Sequence, residues 1–149
     1  MIDKATREKI ISLIHREVVP ALGCTEPIAV SLAVAKATEL LGMQPEEINL
    51  GLSGNIIKNA MGVGIPGTGM IGLPIAIALG SLIGKSEYGL EVLKEVSPEA
   101  VDRGKAFIES VPINIKHLPD SPSNLHVDVE VRAQGHSARA VISLSLIHI

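Results

Sequence analysis

A chain of 149 residues is long enough for one domain with a real core and too short for two ordinary ones. A hydrophobic fraction of 46% excludes general disorder, and a net charge of −3 without a long run of either sign excludes a charge-driven nucleic-acid or anionic-membrane partner. Aromatic residues are nearly absent (Tyr88, Phe107 and no Trp), which removes stacking platforms for bases or sugars.

The chain holds one cysteine and so forms no internal disulfide, and its charged opening MIDKATREKI lacks the apolar segment of a signal peptide. A cytoplasmic protein in a reducing compartment is expected. The apolar stretch at 70–83, MIGLPIAIALGSLI, is interrupted by Pro74 and Gly80 and falls short of the roughly 20 residues a spanning helix needs. It reads as a helix buried in a core, with no membrane partner.

In chain order, Ile10, Ile11, Ile14 and Val18 recur at helical spacing and predict an amphipathic helix over residues 3–18, closed by Pro20. A second helix is expected from about Thr25 to Leu41, with Thr25 as cap, Glu26 and Pro27 in the first turn and Gly42 as its stop. INLGLS at 48–53 reads as a short strand. A further helix begins at Ser97-Pro98-Glu99 and runs to about Glu109. The tail switches period: VPINIKH, LHVDVEVRA and SARAVISL are strand-like, with a hairpin turn at Gln134-Gly135-His136. Helices first and an antiparallel β-meander last predict an α+β fold with a glycine-rich loop between.

That loop carries the first candidate chemistry. Nine of the 14 glycines lie between Gly51 and Gly84. Two G-x-G-x-x-G matches, Gly62/Gly64/Gly67 and Gly67/Gly69/Gly72, lack the preceding strand and the later acid of a dinucleotide site, and no P-loop lysine follows. Glycines also let backbone N–H groups converge on a ligand. The same segment supplies Ser53, Asn55, Lys58 and Asn59, and a lysine among amide donors suits a small carboxylate. The alternatives are a tight turn that packs two helices with Lys58 solvated, or a non-catalytic module that holds a carboxylate or phosphate.

Cys24 is the second candidate. A thiol at a helix start feels the positive end of the helix dipole, which favours thiolate, and Glu26 either opposes this or partners the proton. A free cysteine is equally a small buried hydrophobe. His15, His117, His126 and His136 read as surface or strand-face residues, and His126 with His136 lacks a third metal ligand.

Three ordered motifs, G-C-T-E-P (23–27), S-G-N-x-x-K-N (53–59) and G-x-G-I-P-G-T-x-x-x-G-L-P (62–74), resemble the iron–sulfur L-cysteine desulfidase family, related to the alpha chain of iron–sulfur L-serine dehydratases. The likeness runs from residue 1 to about 143. It implies a lyase with a [4Fe–4S] cluster and no pyridoxal phosphate, in which an open iron eases loss of the β-substituent of a small amino acid. Cysteine would give sulfide, ammonia and pyruvate; serine would give ammonia and pyruvate. Carried over, Cys24 is a catalytic residue or cluster ligand with Glu26 beside it, and Ser53, Asn55, Lys58, Asn59 and Thr68 hold the substrate. Choice of substrate and homo-oligomer formation stay open.

The chain departs from that family in its cysteines. A cluster with an open iron takes about three thiolates, and one is present. The last six residues, Leu-Ser-Leu-Ile-His-Ile at 144–149, are what CTG TCT CTT ATA CAC ATC encodes, a transposon-type sequencing adapter read in frame. The expectation is an N-terminal catalytic fragment over 1–143, an adapter-derived artefact over 144–149, and further cluster ligands downstream of Ser143.

Overall fold

The computed structural model describes residues 25–62, 64, 65, 67–120 and 125–144. The amphipathic helix expected over 3–18 and Cys24 lie outside the described residues.

Helix α1 (Thr25–Leu41) is rich in small apolar residues and is buried along most of its length. It stops at Gly42, whose φ of 79° is left-handed and whose N–H bonds the Thr38 carbonyl at 3.0 Å. Strand β1 (Glu47–Ser53) leads into the short helix α2 (Gly54–Ala60). Two-residue strands β2 (Gly64–Ile65) and β3 (Met70–Ile71) pair antiparallel as a small hairpin. Helix α3 (Leu73–Leu82) follows, then a 3-10 helix over Ser86–Glu91 and helix α4 (Pro98–Ser110). Ser97 caps α4 as expected, its hydroxyl accepting the Ala100 N–H at 3.1 Å. Strands β4 (Ile113–Leu118), β5 (Leu125–Ala133) and β6 (His136–Leu144) complete the fold.

The α+β architecture is as the sequence predicts, with one correction inside the sheet. The order is β4-β1-β5-β6, and β4 lies parallel to β1 instead of pairing with β5 in a meander. The β5–β6 hairpin is antiparallel, turning at Gln134 (φ 51°) and Gly135 (φ 79°). The correction has a physical reason. Ile48, Leu50 and Leu52 of β1 are no more than 3% exposed, so β1 takes the sheet's centre. Ile113 and Ile115 of β4 are only half-buried, as suits an edge strand.

One face of the sheet carries Ile48, Leu52, Val127 and Val129, which pack with Val30 and Val34 of α1 and Ile77 of α3. Beyond these helices a second cluster joins Ile75 and Leu79 of α3 to Val92, Leu93 and Ala100. The close approach of α1 and α3 is reinforced by a buried bond from the Ser31 hydroxyl to the Ala76 carbonyl at 2.7 Å. Most glycines here make room for a neighbour. A Cβ on Gly104 would stand 2.8 Å from Ile75 Cδ1, and one on Gly51 would stand 2.8 Å from Leu118 Cδ1.

The opposite face of the sheet is polar. Asn114 Nδ2 donates to Asn49 Oδ1 at 2.9 Å, and Asn49 Nδ2 donates to Glu47 at 2.8 Å. Arg132 Nε donates to Glu130 at 2.8 Å, and Arg139 pairs with Asp128 through both of its carboxylate oxygens. Among the described residues no helix is long and apolar enough to cross a membrane.

Candidate functional site

The candidate residues fall on three elements. Helix α2 is amphipathic over about two turns: Ile56 and Ala60 are fully buried, four residues apart, while Asn55, Lys58 and Asn59 are exposed. The i, i+3, i+4 spacing puts the three polar residues on one side of the helix. None of them makes a hydrogen bond or ion pair with another described residue. An ammonium and two carboxamides therefore share an exposed surface little more than one helical turn long.

Ser53 precedes this helix and behaves differently. It is 2% exposed, and its hydroxyl accepts the His126 N–H of β5 at 3.2 Å, so it ties β1 to β5 beyond the last ladder pair. It occupies the cap position of α2 without bonding the helix. The sequence pattern S-G-N-x-x-K-N thus divides into a buried serine that anchors the strand end and an exposed helical face.

Thr68 sits in the β2–β3 turn. Its N–H and its hydroxyl both donate to the Ile65 carbonyl, at 3.1 and 2.7 Å, and the hydroxyl accepts the Met70 N–H at 2.9 Å. The turn rests on Gly67, Gly69 and Gly72, all with positive φ. Gly67 lies under Val96, whose Cγ1 would be 2.6 Å from an added Cβ, and Gly72 lies 3.0 Å by the same measure from the Met61 carbonyl that ends α2. The segment that closes the hairpin therefore returns to the residue that ends α2. Of the two glycine patterns, Gly62 follows a helix, as expected for a segment without the dinucleotide geometry.

Glu26 is half-buried in the first turn of α1. No hydrogen bond or ion pair links Glu26, Thr68 and the α2 residues to each other among the described residues.

His117, read from the sequence as a surface or strand-face residue, is exposed in β4. Ile113, Ile115 and His117 fall on the same side of the strand, the histidine as third member of an otherwise apolar face. The ring stands against the first residue of α2: a Cβ on Gly54 would be 2.9 Å from His117 Nε2.

An iron–sulfur cluster can be tested against the donors present. The chain holds a single thiol, Cys24, and among the described residues no three His, Cys, Asp or Glu side chains converge. The residues of this chain do not by themselves fit such a cluster.

Fold and site together define an α+β chain with an exposed, lysine-centred polar surface beside a glycine-braced hairpin. The chain is similar to bacterial proteins named UPF0597 protein. It is 62% identical over 143 residues to one from Phocaeicola vulgatus, 54% over 147 residues to one from Parabacteroides distasonis, and 48% over 139 residues to one from Aeromonas hydrophila. These matches cover 96%, 99% and 93% of this chain but 33%, 34% and 31% of the relatives, so the chain spans about a third of the length of the curated relatives it matches. No protein-family model matches the chain, and no solved structure matches it.

Proposed function

We propose that this chain is part of a cytoplasmic iron–sulfur lyase, independent of pyridoxal phosphate, that eliminates the β-substituent of L-cysteine or L-serine, and that its own share is the surface that holds the substrate. The reading is carried by the exposed face of α2, where Lys58 stands between Asn55 and Asn59. A free amino acid offers a carboxylate and an ammonium. The Lys58 ammonium and an amide N–H suit the first, and an amide oxygen suits the second. The three ordered motifs support the same reading, since two of them cover α2 and the hairpin that follows it.

Because one thiol is too few for the cluster, its other ligands would come from outside this chain, in keeping with relatives about three times as long. Cys24 and Glu26 then stand as candidate proton-handling or cluster-proximal residues, and Ser53 and Thr68 as further candidate substrate-holding residues, the first bonded to β5 and the second closing the β2–β3 turn.

The test uses the 62% identical relative from Phocaeicola vulgatus, prepared anaerobically with iron and sulfide. Pyruvate formation from L-cysteine, with sulfide released, or from L-serine is expected, and the 149-residue chain alone should form none. A fully reconstituted relative that binds either amino acid and releases no pyruvate would replace this reading by that of a small-carboxylate binding module.

A further inference from the structure

His117 and Gly54 come from distant parts of the chain and meet at the parallel β4–β1 edge. Leu52 pairs with His117 in the sheet, and Gly54 begins α2 two residues later. An added Cβ on Gly54 would stand 2.9 Å from Nε2, 3.7 Å from Cδ2 and 3.8 Å from Cε1 of the ring. The imidazole thus occupies the space that any larger residue at position 54 would claim. Gly54 carries no positive φ, and the group nearest to the space beside it is the end of the His117 side chain.

Position 54 is one turn before Lys58 and immediately precedes Asn55, so the ring lies on the side of α2 where the polar face begins. His117 is exposed, and like those of Asn55, Lys58 and Asn59 its side chain makes no hydrogen bond or ion pair with another described residue. The ring therefore stands beside the start of α2 with its nitrogens unbonded to any other described residue.

We infer that His117 is a fourth ligand-contacting residue of the α2 surface, its ring nitrogen bonding a small amino acid held by Lys58. This rests on the reading of α2 as a substrate-holding surface. Gly54 is then a positioning residue, acting only through the ring it accommodates.

The experiment titrates the 149-residue chain with L-serine and follows the His117 ring resonances together with the backbone amides of Lys58 and Asn59 by NMR. The ring and the amides should shift along one saturation curve. Lys58→Ala should weaken L-serine binding about 10-fold or more, and His117→Ala by roughly 3- to 10-fold, the range for losing a charged and a neutral hydrogen bond. Gly54→Ala, which keeps the imidazole but displaces it, should weaken binding like His117→Ala, and His117→Gln should recover part of the loss. Weakening by Lys58→Ala alone, with the ring resonances unmoved and both His117 variants silent, would overturn the inference and leave the α2 surface standing. If neither the ring nor the amides respond to L-serine, both readings fail.

Discussion

Gly80 of α3 meets Ser31 of α1 backbone against backbone: a Cβ on Gly80 would stand 2.6 Å from the Ser31 carbonyl oxygen and 3.1 Å from its Cα. Two effects compete in Gly80→Ala. Alanine in a helix interior gains about 1 kcal/mol over glycine, whereas overpacking a tight core typically costs about 1–3 kcal/mol. The obstructing atoms are main chain and cannot swing aside, so the clash should win. Gly80→Ala is expected to lower the urea midpoint, and an unchanged or raised midpoint would show that α1 and α3 are not packed this closely.

The glycines on either side of the hairpin are of two kinds. Gly72 has φ 90° and ψ 172°, a region only glycine enters freely, and its Cα faces the Met61 carbonyl. Gly72→Ala should cost about 1–3 kcal/mol. Gly62 has open space around it and no positive φ, so Gly62→Ala should be neutral or stabilise by up to about 1 kcal/mol through the unfolded chain. Thermal melts of the two variants give the comparison, and equal losses would contradict the loop geometry.

These glycines also mark how far the sequence could be read. Helix α1 and its Gly42 stop, the Ser97 cap and the Gln134-Gly135 turn were legible because each depends on residues within a few positions. The place of β4 beside β1 was not, because parallel pairing is decided by burial across the whole sheet and leaves no local mark. Among candidate site residues, Asn55, Lys58 and Asn59 were found by type and spacing and do share a face. Ser53 was grouped with them by adjacency, although its position at a strand end turns it toward β5. His117 lies exposed on a strand, as the sequence reads it, but its nearness to Gly54 was not legible, because the two are 63 residues apart in the chain and glycine shows no side chain to suggest a partner.

The polar face of the sheet sets a pH dependence. The Arg132 guanidinium bonded to Glu130, aided by Asn49, holds the Glu130 carboxyl below the usual carboxylate range. A depressed folded pKa means that the stabilisation is present above the unfolded value near 4.3 and is lost as pH falls through the lower, folded value. The pair is largely open to solvent, so its share is small. Urea midpoints between about pH 5 and pH 3 should fall less steeply in Glu130→Gln than in the unmodified chain. Parallel curves would mean that Glu130 ionises alike in the folded and unfolded chain.

Lys58 and Asn59 separate function from fold most cleanly. Both are exposed on α2, while the helix is held from its other side by Ile56 and Ala60. Surface substitutions away from a buried feature usually move stability by less than about 0.5 kcal/mol, so Lys58→Ala and Asn59→Ala should melt like the unmodified chain. At the corresponding positions of the Phocaeicola vulgatus relative, both should raise KM for L-cysteine or L-serine, Lys58→Ala by about 10-fold or more because it loses a charge-assisted bond. Ile56→Ala is the contrasting case: it empties a fully buried site and should cost about 2–5 kcal/mol. If Lys58→Ala and Asn59→Ala leave both the melt and KM untouched, the face of α2 is solvated surface and the glycines around it serve packing alone.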